Sequence, residues 1–260
     1  GSNTTGSDNV AVGRDTLLTN ITGVKNVAVG NFSLRYNTGD NNTAVGHQAL
    51  DINTTASNNA AYGYRALYLN TTGARNVAVG ALALDANTTG GSIVALGYGA
   101  LSENTTADDN TAVGYVALLS NTTGTFNTAV GARSLDANTT GSGNTAVGED
   151  SLSANTTAND NTAFGQNALK LNTTGTQNTA LGASALDANT TASYNTAVGY
   201  AALGASNTGT NNTAIGKGTL STQSGAINDN TAVGYNAGNA LTTATQSTFV
   251  GSTTGDSITT

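Results

Sequence analysis

The chain has 260 residues, of which only 9% are charged, with a net charge of −7, one histidine, and no cysteine or proline. That balance disfavours nucleic acid and anionic membrane surfaces as partners, and the missing thiols exclude disulfides and thiolate metal sites. No run approaches the roughly 18 apolar residues of a membrane span, so direct membrane insertion is not expected.

Taken in order, the chain is one pattern repeated. Asn-x-Ala-(apolar)-Gly returns fifteen times, with its glycines at 13, 30, 46, 63, 80, 97, 114, 131, 148, 165, 182, 199, 216, 234 and 251. The step is seventeen residues, except for sixteen from Gly30 to Gly46 and eighteen from Gly216 to Gly234. A short fixed period over the whole length predicts an all-β parallel solenoid of about fifteen coils, organised as a single continuous repeat domain over 1–260. Fixed apolar columns argue against a low-complexity, unfolded chain.

Aligned on the glycine, each copy opens with a strand of about four residues, as in Asn110-Thr111-Ala112-Val113. Thr and Val alternating with Ala suit a pleated surface, and the glycine suits a sharp bend. The column before the glycine is apolar in every copy and is read as core: Val45, Val79, Val113, Val130, Val147 and Val198. Four residues after the glycine stands a leucine column, including Leu67, Leu101, Leu118, Leu152 and Leu169, read as core in a second short strand or extended corner. An Asn-Thr-Thr-Gly/Ala turn follows, built from residues that tolerate left-handed backbone or bond locally.

Every third coil carries a longer beat: Leu-Asp-Ala-Asn at 84–87, 135–138 and 186–189, and an alanine turn at Ala56, Ala107 and Ala158. A three-repeat duplication unit accounts for it; a surface that repeats every third coil is the alternative. One coil per inter-strand spacing of about 4.8 Å gives a rod roughly 70 Å long, with asparagine and apolar ladders between coils. One Val-type residue, one Leu and one or two Ala make a thin core. It barely offsets the ordering of seventeen residues, unless stacking stabilises the coil or several chains share a core.

Asn-Thr-Ala-Val-Gly resembles the Asn-Ser-Val-Ala-Ile-Gly repeats in the heads of trimeric autotransporter adhesins. The fuller Asn-Thr-Ala-Val-Gly-Tyr-x-Ala-Leu-x-x-Asn-Thr-Thr-Gly is similar to repeats in bacterial surface proteins and phage tail-fibre-like proteins. The resemblance implies left-handed β-rolls packed as a homotrimer and a place outside the cell, on a cell or virion surface. The seventeen-residue period is longer than the adhesins' own, and both ends of the chain stop within the repeat. Those ends suggest a fragment of a longer fibre, or a subunit stacking end to end into a filament.

Enzyme chemistry and cofactors find no support in the sequence. His47 follows a glycine and reads as a solvated turn residue. The Asp-rich turns (Asp40, Asp108-Asp109, Asp160, Asp229) offer oxygen to Ca²⁺ but lack the spacing of calcium loops. The variable position after the glycine holds Tyr64, Tyr98, Tyr115, Tyr200 and Tyr235, candidate exposed contacts for a host surface protein or glycan, or ordinary corner residues. The Asn-Thr-Thr sequons at Asn70, Asn104, Asn121, Asn155 and Asn172 are candidate glycan acceptors, although turn geometry alone also produces them. The expected function is therefore a non-enzymatic fibre or adhesin head segment. A self-assembling filament is the alternative, followed by an ice-binding solenoid, which the missing Thr-x-Thr array disfavours.

Overall fold

A computed structural model describes residues 3–206, 208–222, 227–241 and 245–256. It is all-β: fifteen three-residue parallel strands, about seventeen residues apart, with no helix among the described residues. The chain forms two compact units, 1–127 and 128–260. The first contains β1 (Val10–Val12) to β7 (Thr111–Val113), the second β8 (Thr128–Val130) to β15 (Thr248–Val250). Each unit is a parallel β-solenoid in which every strand pairs with the next in sequence and like residues face like: Thr162↔Thr179, Ala163↔Ala180, Phe164↔Leu181.

Backbone bonds between coils extend well beyond the strands. The Val77 N–H donates to the Ile93 carbonyl and the Gly80 N–H to the Tyr62 carbonyl, each at 2.8 Å. Further round the coil, Leu82 donates to Tyr64 and Leu84 to Ala100, each at 2.9 Å. Nearly the whole coil thus satisfies its polar backbone on its neighbours, as a buried backbone must.

The leucine column is buried as expected, with Leu67, Leu101, Leu118, Leu152 and Leu169 all at 0% exposure. It lies in a pair of tight turns, not in the second strand or extended corner the sequence suggested. Two residues after each glycine the backbone is left-handed, and it is left-handed again at the leucine, with φ between 45° and 56°. In the Gly30 coil, the Ser33 N–H closes the first turn onto the Gly30 carbonyl at 3.2 Å, the hydrogen bond of a type II turn. A bulky residue in this region costs about 1–2 kcal/mol, which the inter-coil bonds and leucine burial must offset.

The valine column is corrected by the structure. Val45, Val113, Val130, Val147 and Val198 are half-buried and Val79 is exposed; none is in the core. Their strands place the preceding alanine inward at 0% exposure, as at Ala44, Ala78 and Ala112. Alternation sends the residue on either side of that alanine outward. The inward space is already taken by Leu, a second alanine and two asparagines per coil, as in Ala61, Ala66, Leu67, Asn70 and Asn76. Only a methyl fits there.

The strand-ending glycine is required on two counts. Its φ is +129° at Gly148, a conformation that L side chains rarely adopt, and a Cβ there would lie 2.6 Å from the Gly165 carbonyl carbon of the next coil. The last two coils depart from the pattern in a compensated way. Phe249 replaces the inward alanine, while Gly238 and Gly255 stand at leucine positions, and the ring fills space next to both glycines.

Candidate functional site

Two asparagine ladders occupy the interior. In the first unit, Asn70 donates to Oδ1 of Asn53, Asn87 to Asn70 and Asn104 to Asn87, each at 2.9 Å, and Asn121 donates to Asn104 at 3.2 Å. In the second, Asn155 donates to Asn138 at 2.9 Å, Asn172 to Asn155 at 3.0 Å and Asn189 to Asn172 at 2.8 Å. The other amide proton of each goes to its own turn carbonyl, as from Asn70 to Gly73 at 2.9 Å. The second ladder uses the strand asparagines: the Asn76 N–H donates to Oδ1 of Asn59 and the Asn59 amide donates to the same Gly73 carbonyl, both at 2.9 Å. One carbonyl thus serves both ladders.

This overturns the glycosylation reading. Asn70, Asn104, Asn121, Asn155 and Asn172 are fully buried, and the nitrogen that would carry the sugar donates to the neighbouring coil and to the turn. The Asn-Thr-Thr sequon is core structure. Its first threonine is tied in as well, Thr71 donating through Oγ1 to the Thr88 carbonyl at 2.9 Å, and only the second, Thr72, is exposed.

Three aspartates of the Asp-rich turns each accept a bond from the preceding coil. Asp40 accepts from the Val24 N–H at 2.8 Å, Asp108 from Gly91 at 2.7 Å and Asp229 from the Asn211 amide at 3.0 Å. Among the described residues no group of three or more His, Cys, Asp or Glu is arranged to hold a metal, and no helix is long and apolar enough to cross a membrane. A shallow cleft at Asn3, Asn9, Ala11, Thr16, Leu17 and Asn20 is the uncovered core of the first coil.

Three features remain. The first is the strand face. Besides the valines it carries Phe164 and Leu181, which are 53% and 47% exposed. In β8 to β15 every strand begins with an outward threonine, from Thr128 to Thr248. The second is a charge network that sequence reading missed. Arg35 forks onto the fully buried Asp51, Nε to Oδ1 and Nη2 to Oδ2, both 2.8 Å. Arg133 and Lys170 converge on Asp150 at 2.7 and 3.0 Å. Burial raises the Asp51 carboxyl above its usual range despite Arg35, whereas the Arg133 hydrogen bond lowers that of Asp150. The available signal was opposite charges about one coil apart in sequence.

The third is the column after the glycine. Tyr64, Tyr98, Tyr115, Tyr200 and Tyr235 are all exposed there. His47, in the same column, stacks on Tyr64 at 5.8 Å and meets Phe32 edge-on at 5.7 Å; Tyr98 stacks on Tyr115 at 5.8 Å. Lys217 lies over both Tyr200 and Tyr235.

No protein-family model, curated protein or solved structure matches the chain.

Proposed function

We propose that the chain is a non-enzymatic segment of an extracellular fibre or adhesin head, which self-associates through its strand face and presents the turns that follow the strands for attachment. The observation that carries this reading is the outward apolar file of the strands. A row of Val, Leu, Ile and Phe stacked in register on the sheet face of each unit is the kind of exposed apolar patch that marks a protein contact. Covering it supplies the large apolar burial that the alanine-lined interior lacks. The turn edge differs in character: its residues vary from coil to coil and include tyrosines, which are favoured at recognition surfaces. The resemblance to adhesin heads agrees with three chains sharing the strand face.

Sedimentation equilibrium tests the assembly. The expected result is a discrete multiple of the 25.6 kDa chain, dissociated by Leu181→Lys combined with Phe164→Lys. A stable compact monomer across the concentration range overturns it.

The eight consecutive outward threonines of β8 to β15 favour one second reading, ice binding, because a rigid file of hydroxyl and methyl groups can order water. Phe164 and Leu181 interrupt the flatness of that face. A thermal-hysteresis assay without activity excludes this reading.

A further inference from the structure

We propose that the gap between Tyr64 and Tyr98, floored by Ala81, is a binding slot for an alkylammonium group. The three residues follow successive glycines and so occupy one outward column on adjacent coils. Tyr64 has one face against His47, with the rings 21° from parallel, and Tyr98 has one face against Tyr115, at 16°. The opposite face of each ring turns toward the intervening coil, where the column offers only the methyl of Ala81. Two coil rises separate the rings by about 9.6 Å, which leaves room for one compact group in contact with both.

The second unit shows what such a gap accepts. Tyr200 and Tyr235 occupy the same column, also two coils apart, and the intervening residue is Lys217. Its ammonium lies 6.0 Å from one ring centroid and 5.9 Å from the other. The negative faces of two aromatic rings attract a cation placed between them, and quaternary ammonium groups are recognised in this way. The first unit has the same pair of rings without the lysine. A ligand's ammonium entering there reproduces the contact that Lys217 makes within the chain.

Charge agrees with this choice of ligand. The net charge of −7 favours the approach of a cation. Arg65, the next residue on the Tyr64 coil, does not fill the slot: its guanidinium lies 4.4 Å from the ring of Tyr68. The slot uses positions after the glycine, outside the strands, so it can be tested apart from self-association through the strand face.

Tetramethylammonium chloride, titrated into the full chain against matched sodium chloride and followed by tyrosine ring resonances, provides the test. The expected result is saturable binding at one site, with shifts at Tyr64 and Tyr98. Tyr98→Ala should weaken it about tenfold. Ala81→Lys should abolish it by placing an ammonium in the slot from within, and the column already accepts lysine at 217. Lys217→Ala should open a second, equivalent site. No saturable binding, or binding indifferent to Ala81→Lys, overturns the proposal. Equal affinity for a neutral methyl pyranoside overturns the assignment of a cation. Unchanged binding in a monomeric Leu181→Lys/Phe164→Lys chain is expected, which separates failure of the slot from failure of the assembly.

Discussion

Arg35 and Asp51 form a two-point ion pair between adjacent coils, with the aspartate side chain fully buried and the arginine 23% exposed. The guanidinium also lies over Phe32 and Tyr36, at 4.9 and 4.6 Å. Removing one partner of a buried pair strands the other charge. Arg35→Met should therefore destabilise the first unit by about 3 kcal/mol in urea unfolding, and Asp51→Leu added to it should recover most of the loss. Additive losses in the double variant would contradict this account.

The amide ladder of the second unit breaks at Ser206. The Oγ of Ser206 and the Oδ1 of Asn189 are both buried without a partner, because a hydroxymethyl is too short to span the coil spacing. Ser206→Asn should restore the bond and stabilise by about 1 kcal/mol, whereas Asn155→Ala should cost about 1–3 kcal/mol for each orphaned group. Thermal unfolding of the two variants measures both effects.

Folded protein secreted from a glycosylating host should carry no glycan at Asn70, Asn104, Asn121, Asn155 or Asn172 by peptide mapping, since their amide nitrogens are enclosed. An occupied site in folded material would contradict the ladder.

The leucine column couples burial to left-handed backbone, with φ 56° at Leu67. A Leu-to-Ile exchange in an ordinary core costs less than about 1.5 kcal/mol. At Leu67 a β-branched residue must also adopt that backbone conformation. Leu67→Ile should therefore cost about 3 kcal/mol, close to Leu67→Ala, in denaturant unfolding.

Acidification should not weaken this protein as it weakens most. Burial is the leading cause of raised carboxyl pKa values at Asp51, Asp85, Asp136 and Asp187, all above the usual 3.8. For a raised acid the folded state binds the proton more tightly, so its contribution to stability is present below 3.8 and is lost as pH rises through the folded value. Asp150 acts in the opposite sense: Arg133 lowers its pKa, and that stabilisation is lost as pH falls through the lowered value. Four groups oppose one. The unfolding midpoint at about pH 4.5 should equal or exceed that at about pH 7, and a clear fall would contradict the assignment.

The period, the parallel stacking, the leucine core and the glycine bend were all legible in the sequence, because each is a column that repeats. The facing of the strand was not. Val79 is larger and more apolar than Ala78, so size argued for Val79 inside. The decisive fact is the width of the coil, whose interior already holds the fully buried Leu84 and Asn76. The left-handed leucines gave little warning: glycine takes their place only at Gly238 and Gly255, in the last two coils. The asparagines were legible as ladder formers and as sequons, and only their burial separates the two. In the tyrosine column the outward facing was legible from its variability, but the pairing across two coils required the stacking geometry.

The most direct test of the account concerns the strand face, and the absence of cysteine makes it clean. Leu181→Cys places a single thiol on that face, at a residue 47% exposed in one chain, and Thr174→Cys places one on an exposed turn of the preceding coil. If chains associate through the strand face, the thiol at 181 should react slowly with a water-soluble reagent and should cross-link chains on oxidation. The thiol at 174 should react at the rate of a free thiol. Equal, fast reaction at both positions in a chain that stays monomeric would contradict the account.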